Sequence, residues 1–439
     1  MRKTLYAVMG NPVLQSRSPA MQQAAFAATQ VPAAYLRLHA ESAAEGLRVA
    51  QAMGIRGLNV TAPFKESIVP FVTQLDRQAL SLRAVNTIRF DDEHIAGFNT
   101  DVEGLRQSLS AEGIDVHDQR VVVLGTGGAA RAAISALRAQ GAAVVVAGRS
   151  LQHATALAKT FRVTALSLDA QELAGVVCDA VLLVSCLSTI DRVVPPQWLH
   201  RDLTVFDIHY GRPTRLLTDA RARGCRTLDG REWLLHQGGE AFECFTGKEA
   251  PTACMRQAVF AEDACPSVSR PIALIGMMGA GKSVIAAAVA SRSGRQYLDM
   301  DTAIAATAGC SIAELFATKG EGDFRALERQ QLTAYVETSG SVIACGGGVV
   351  LEAANRALLR AHCHTIWLWA APEVLAHRTR DDTRPLLAGQ DRSTALRTLL
   401  HARMEYYVEV ADMVISTEEE SPEHVAEAID AEVCCVSGC

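Results

Sequence analysis

Two glycine-rich loops in this chain could each hold a nucleotide, and they ask for different chemistry. The later one, GMMGAGKS from Gly276 to Ser283, fits GxxxxGK[ST], follows the strand-like PIALI and opens a helix-forming run. In such a loop the backbone N–H groups from Gly276 through Gly279, Ala280 and Gly281 cradle phosphates, Lys282 neutralises β/γ oxygens, and Ser283 ligates magnesium. The earlier one, GTGGAA from Gly125 to Ala130, lies between the β-rich VVVL and an Ala-rich helical run, the context a dinucleotide fingerprint requires. Gly125 makes the turn, Gly127 lets N–H groups approach a pyrophosphate, and Gly128 and Ala129 begin the helix whose N-terminus opposes negative charge. The next strand-like run, AAVVVAGRS, ends at Arg149 and Ser150. An NAD site places an acidic residue about there to bind the ribose 2′-hydroxyl, whereas arginine suits a 2′-phosphate, so NADP(H) is the expected cofactor. The plain alternative is a structural turn followed by a surface arginine.

Polar residues of another kind surround these loops. Upstream, GNPVLQSRSP, GLNVTAPFK, AVNTI and GFNTD bring hydroxyl, amide and ionisable groups to what read as strand ends and loops, a set that can orient a polyhydroxylated ligand. Singly, Lys65 reads as a solvated lysine, Asp101 as a helix cap, and Asn59 or Asn86 as turn formers. Downstream, YLDMD, GEGDFRALE, ACGGGVV, TRPLL and RMEYYVEVAD add a DxD pair, arginines and a triple glycine, each with an equally plain surface or loop-cap reading.

Such residues act only if a frame converges them. Apolar β-rich runs alternate with Ala-rich stretches (TLYAVMG then PAMQQAAFAAT, ALIG then KSVIAAAVASR), which predicts an α/β fold with mainly parallel sheets. The 439 residues allow roughly two to four domains. EDACPSVSRP, Glu262 to Pro271, interrupts the alternation with prolines and serines and reads as a linker, and SAEGIDVHDQR marks a softer division. With 49% hydrophobic residues, 21% charged and a net charge of -6, the chain offers no basic field for nucleic acid or anionic lipid, so small-molecule partners are expected. The N-terminal apolar run stops at Asn11-Pro12, too soon for a signal-peptide core or a membrane span, and a cytoplasmic location is expected. The 12 cysteines show no CxxC pair or Cys/His metal spacing and read as reduced, mostly buried thiols, with Cys434, Cys435 and Cys439 in a loose tail.

In order, GNPxxxSxSP, GxNVTxPFK, AVNT and NTDxxG resemble shikimate dehydrogenase over about residues 4 to 260. The resemblance implies an α/β substrate-binding domain (1–105 plus 230–262) split around a Rossmann NADP-binding domain (106–229), with DGREWLLHQGGEAFECFTG as the returning piece. It implies that Ser16 and Ser18 bind the substrate carboxylate, that Thr61, Asn86, Asn99 and Gln237 hold its hydroxyls, and that Lys65 and Asp101 form the catalytic pair. Tyr210 matches the family tyrosine. Two departures touch nicotinamide seating: LLVSCLSTI, Leu182 to Ile190, stands where many members have an Asn-containing turn, and the Pro of DIHYGRPT is shifted by one position.

The C-terminal motifs resemble shikimate kinase over about residues 271 to 433, implying a P-loop α/β domain with a parallel sheet there, a linker at 263–270 and a tail at 434–439. In that likeness Asp299 joins Ser283 in holding Mg2+, Asp301 contacts the substrate hydroxyl and is a candidate base, and Arg325 and Arg403 clamp a carboxylate. Gly346, Gly347 and Gly348 allow close backbone approach, and Arg384, in a Pro-containing lid, closes on the ATP phosphate being transferred. An acidic residue often found after DxDxxI is Ala305 here. Together the resemblances imply NADPH-dependent reduction of 3-dehydroshikimate to shikimate, then phosphorylation by ATP to shikimate 3-phosphate, in a monomer or homodimer. An NAD-dependent quinate/shikimate dehydrogenase competes and is disfavoured by Arg149. A non-catalytic metabolite sensor competes too, disfavoured by the retained Lys65, Asp101, Lys282, Ser283, Asp299 and Arg384. Because the dehydrogenase-like residues all precede about 247 and the kinase-like ones all follow about 276, the two halves are expected to work when separated.

Overall fold

Strands buried on both faces of a parallel sheet need near-continuous β-branched runs, and RVVVL (Arg120–Leu124) and AVVVAG (Ala143–Gly148) supply them. The structure, a computed structural model, describes residues 3–91, 94–211, 213–261, 270–380 and 391–437. The expected linker apart from Arg270, the segment with Arg384, and Cys439 lie outside these residues. The two valine-rich strands belong to a six-stranded parallel sheet in the order 226–228, 204–207, 182–185, 120–124, 143–148, 164–167. Side chains alternate across it: Val121 and Val123 enter one core with Leu105, Ile134 and Leu137, while Val122 and Leu124 enter a second with Leu173, Leu199 and Leu217. This is the expected Rossmann order. Arg120–Leu124 sits where the strand order reverses, the place at which open α/β sheets bind ligands.

The same compact unit, Arg17–Val31 with Arg56–Asp263, holds further strands. Ile55–Val60, Thr87–Phe90 and Ile95–Phe98 are antiparallel neighbours there, and Gln74–Leu75 runs parallel to the last of them. The helix Arg231–Thr246 packs on Ser18–Ala28 and Asp101–Ala111, with Gln22 Nε2 donating to Gly238 O at 2.8 Å and Trp233 Nε1 to Asp101 O at 2.8 Å. The chain after residue 230 thus returns to early elements.

The other compact unit comprises Met1–Ser16, Pro32–Ile55 and Ala264–Cys439. Its strands are all parallel, in the order 296–299, 341–344, 272–275, 364–369, 413–416, 33–39, 4–10. The last two come from the start of the chain, so the division between the compact units is not confined to the expected linker. The reason lies in an edge. Met413–Ser416 (MVIS) is buried throughout and would leave a row of unpaired backbone groups. Ala33–His39 covers it, with Leu38 opposite Val414 and His39 opposite Ile415. Side chains reinforce the seam: Arg37 Nη1 donates to Asp412 O at 3.1 Å, and Arg48 pairs with Glu418 and, at 2.9 Å, with Glu419. These contacts join residues that precede the expected linker to residues that follow it.

Two smaller corrections concern the cysteines. Among the described residues all are free thiols, but only Cys225, Cys345 and Cys363 are buried, and Cys178 and Cys435 are exposed. Cys434 and Cys435 sit not in a loose tail but in the helix Pro422–Ser437, whose run AEVCCVS contains no breaker. Among the described residues no helix is long and apolar enough to cross a membrane.

Candidate active sites

The strand Ile95–Phe98 ends just before Asn99 and Thr100, and Asp101 opens the helix Asp101–Ala111. The carboxylate therefore lies in the first turn of a helix. Lys65, on the turns after Val60, places Nζ 2.6 Å from Asp101 Oδ2, with the two side chains 17% and 6% exposed. The lysine stem lies against the first glycine turn: a Cβ at Gly128 would come 3.0 Å from Lys65 Cβ. Gly125 has φ 111°, and a Cβ there would lie 2.9 Å from Cys186 O, so glycine lets the turn pass beneath LLVSCLSTI. Burial pushes the Cys186 thiol well up, with Asp207 adding to it, and it stays neutral. The helix Gly128–Ala139 starts at Gly127 with no side-chain cap, so its first N–H groups are placed for an anion. Arg149 is exposed after Ala143–Gly148, and Ser150 caps the next helix by accepting from His153 N at 3.2 Å.

Asn86 and Gln237 join one network. Asn86 Nδ2 donates to Thr100 Oγ1 at 2.9 Å and to Gln237 Oε1 at 3.3 Å, and Asn86 Oδ1 accepts from Thr100 N at 2.9 Å. Asn99 donates to Ala84 O at 2.8 Å and accepts from Asp101 N at 3.2 Å, so its amide shapes the turn that presents Asp101. Thr61 and Tyr210 are half-buried. Asp207 accepts from Thr214 Oγ1 at 2.7 Å and contacts His209 Nδ1 at 2.9 Å, bracketing Tyr210 despite the shifted proline. Ser18 is buried at the start of Ser18–Ala28, and Ser16, also buried, falls in the other compact unit. Sequence reasoning missed Thr100 and Trp233; the NTD motif flanking Thr100 was the available signal for the first.

In the second compact unit the P-loop follows Ile272–Ile275, flanked by Ser341–Ala344 and His364–Trp369. Gly276 has φ 145°, and a Cβ there would lie 2.4 Å from Leu368 O, so no larger residue fits. Lys282 Nζ donates to Gly276 O and Met277 O, both at 3.0 Å, which folds the ammonium over the loop. Its helix, Lys282–Ser293, also begins without a side-chain cap. Burial alone would raise the Asp299 carboxyl, but hydrogen bonds from Thr302 N, Ser283 and Tyr297 hold it below its ordinary range. A hydroxyl beside a carboxylate is a hard oxygen pair that fits Mg2+, which keeps several water or phosphate ligands. Among the described residues no cluster of three or more His, Cys, Asp or Glu could hold a metal.

The triple glycine after Ser341–Ala344 forms a floor on which charged groups converge. A Cβ at Gly348 would lie 2.7 Å from the terminal nitrogens of Arg325, and one at Gly346 would lie 3.2 Å from Asp301 Oδ1. Gly347 O accepts from Arg403 Nη1 at 3.0 Å and from Tyr407 Oη at 2.8 Å. A Cβ at Gly347 would be 3.7 Å from Gly276 O, which ties this floor to the P-loop. Glu328, quoted in GEGDFRALE but given no role there, is 1% exposed and accepts from Arg325 Nη1 at 2.7 Å. Burial raises its carboxyl, with Arg325 opposing. Its spacing, one helical turn after Arg325, allows the pair but gives no sign that it is buried. Arg384 lies outside the described residues.

Comparison with known proteins bears on both sites. The chain matches the family models described as shikimate dehydrogenase substrate binding domain over residues 8–88, shikimate / quinate 5-dehydrogenase over 107–212, and shikimate 5′-dehydrogenase C-terminal domain over 230–260. The model described as shikimate kinase matches residues 278–433. The shikimate dehydrogenase (NADP(+)) of Moorella thermoacetica is 38% identical over 286 residues, covering 61% of this chain and 97% of that protein. The crystal structure of shikimate dehydrogenase from Aquifex aeolicus superimposes with a TM-score of 0.55 at 32% identity, over 59% of this chain and 98% of that one. A Thermus thermophilus shikimate 5-dehydrogenase, solved in complex with NADP(H) and shikimate, gives a TM-score of 0.53 at 32% identity, over 58% of this chain and 98% of that one.

Proposed function

The chain belongs to the shikimate dehydrogenase family and carries a shikimate kinase domain over residues 278–433, and from that premise we propose that it makes shikimate and then phosphorylates it. The first reaction is reduction of 3-dehydroshikimate by NADPH; the second is transfer of a phosphoryl group from ATP to give shikimate 3-phosphate, with Mg2+. The observation that carries the reading is the Lys65–Asp101 ion pair at 2.6 Å, set against the glycine turn. Bound NADPH supplies the hydride. Lys65 then meets the developing alkoxide with positive charge and gives it a proton, while Asp101 orients the ammonium toward the same oxygen. Asn86 and Gln237 hold the ring hydroxyls, and Arg149 selects the 2′-phosphate. In the kinase domain Asp301 takes the proton of the attacking hydroxyl, and Arg325 and Arg403 fix the carboxylate.

Steady-state assays of both reactions with NADPH, NADH and ATP test the proposal. Turnover of 3-dehydroshikimate preferring NADPH, and ATP-dependent phosphorylation of shikimate, are expected. Tight binding of either metabolite without turnover would replace the enzyme by a sensor.

A further inference from the structure

Residues from opposite ends of the chain meet in the buried cluster around Glu432. This glutamate, on the helix Pro422–Ser437, is 1% exposed. Its Oε2 accepts from Val13 N at 2.9 Å and Leu14 N at 2.8 Å, and its Oε1 lies 2.6 Å from His39 Nδ1. Two consecutive N–H groups directed at one carboxylate form an anion-binding concavity, and here the anion is the protein's own side chain. The loop they belong to turns back at Ser16, whose N donates to Val13 O at 3.0 Å. Ser16 O accepts from Arg37 Nε at 3.0 Å and Nη2 at 2.7 Å, and the same guanidinium reaches Asp412 O through Nη1 at 3.1 Å. Both ends of the segment 13–16 are thus anchored, directly on Glu432 or through Arg37 on Asp412, to the kinase-like part of the chain.

We propose that Glu432 is a positioning residue for the dehydrogenase reaction: it holds the 13–16 loop in the shape that presents Ser16 to the substrate carboxylate. This rests on the proposed function and on the shikimate dehydrogenase resemblance, which implies that role for Ser16. The glutamate itself touches no reactant. Its effect is to make the shape of a segment from the dehydrogenase-like half depend on the last helix of the kinase-like half. Without the carboxylate, the two amides lose a charged acceptor and the imidazole loses a partner, and the loop is released while the P-loop and triple-glycine floor keep their contacts.

The test uses the full chain and the variants Glu432→Gln and Glu432→Asp. Shikimate oxidation with NADP+ and phosphorylation with ATP are followed on the same preparations, so the kinase reaction reports whether the C-terminal fold survives. In Glu432→Gln we expect the dehydrogenase KM for shikimate to rise about tenfold or more, since hydrogen bonds to a charged group are being lost. The KM for NADP+ and both kinase KM values should stay within about twofold, and Glu432→Asp should recover part of the loss. An unchanged shikimate KM, or equal loss of both reactions, would overturn the proposal. Amide exchange provides a second measurement: Val13 and Leu14 should exchange slowly in the wild-type chain and much faster in Glu432→Gln. Fast exchange in the wild type would also overturn it. A wild-type chain with no dehydrogenase turnover would refute the proposed reaction instead, and the exchange data would still decide whether Glu432 holds the loop.

Discussion

His39 offers a quantitative test of the seam between the chain's two ends. The ring is 3% exposed, with Nδ1 on Glu432 and Nε2 2.9 Å from Glu41. Burial alone would lower its pKa, but the two carboxylates outweigh that and raise it from 6.5 to about 9. A rise of that size corresponds to on the order of 3 kcal/mol of folding free energy. Because the folded pKa lies above the unfolded one, this contribution is fully present below about pH 6.5 and is lost as pH rises through about 9. The perturbation is His39→Gln, which keeps polarity but cannot carry the charge. Urea unfolding of both proteins at pH 6 and pH 9.5, followed by the fluorescence of the buried Trp367 and Trp369, measures the effect. The wild type should lose on the order of 3 kcal/mol more than the variant between those pH values. The difference between the two proteins isolates His39 from its neighbours, including His424, which lies 3.5 Å from Glu41. Identical pH dependence, or a wild type that gains stability at the higher pH, would refute the account.

Three further outcomes follow from the sites. Lys65→Ala should lower dehydrogenase kcat by about 10² to 10⁴ and leave the kinase untouched, because only the proton donor is removed; near-wild-type kcat would contradict the assignment. Arg149→Ala should raise the KM for NADPH far more than that for NADH, as measured by paired titrations. Arg403→Ala should raise the kinase KM for shikimate by about tenfold or more with the KM for ATP nearly unchanged, as expected for loss of a charged hydrogen bond; a selective loss of ATP binding would reverse the roles of the arginines.

The local chemistry was readable where motif and element coincide. The glycine loops had to follow strands and open helices, and Asp101 had to follow a strand and begin a helix, so spacing alone brought them to strand ends. The convergence of Arg325, Arg403 and Asp301 on Gly346 to Gly348 depends on tertiary packing, and only the family resemblance anticipated it. Glu328 escaped because a glutamate one turn after an arginine is commonly a surface pair, and nothing in its spacing reveals that it is buried. The seam escaped for another reason. AAYLRLH and MVIS each read as ordinary strands, and no local pattern tells which of two distant strands will cover a given edge. Glu432 and His39 are 393 residues apart in the chain, and their complementarity exists only after folding.

That separation has a consequence for biosynthesis. The strand Ala33–His39 leaves the ribosome long before Val414, the partner of Leu38, has been made. At about 5 to 20 residues per second, the intervening stretch takes roughly 20 to 75 s to translate. Throughout that interval the early strand has an open edge, and Val13 and Leu14 lack their carboxylate. Loop-closure entropy must then be overcome across nearly the whole chain before the seam contributes anything. The nascent N-terminal segment therefore keeps an open edge until Met413–Ser416 has been made, and an unsatisfied loop until the final helix has been made.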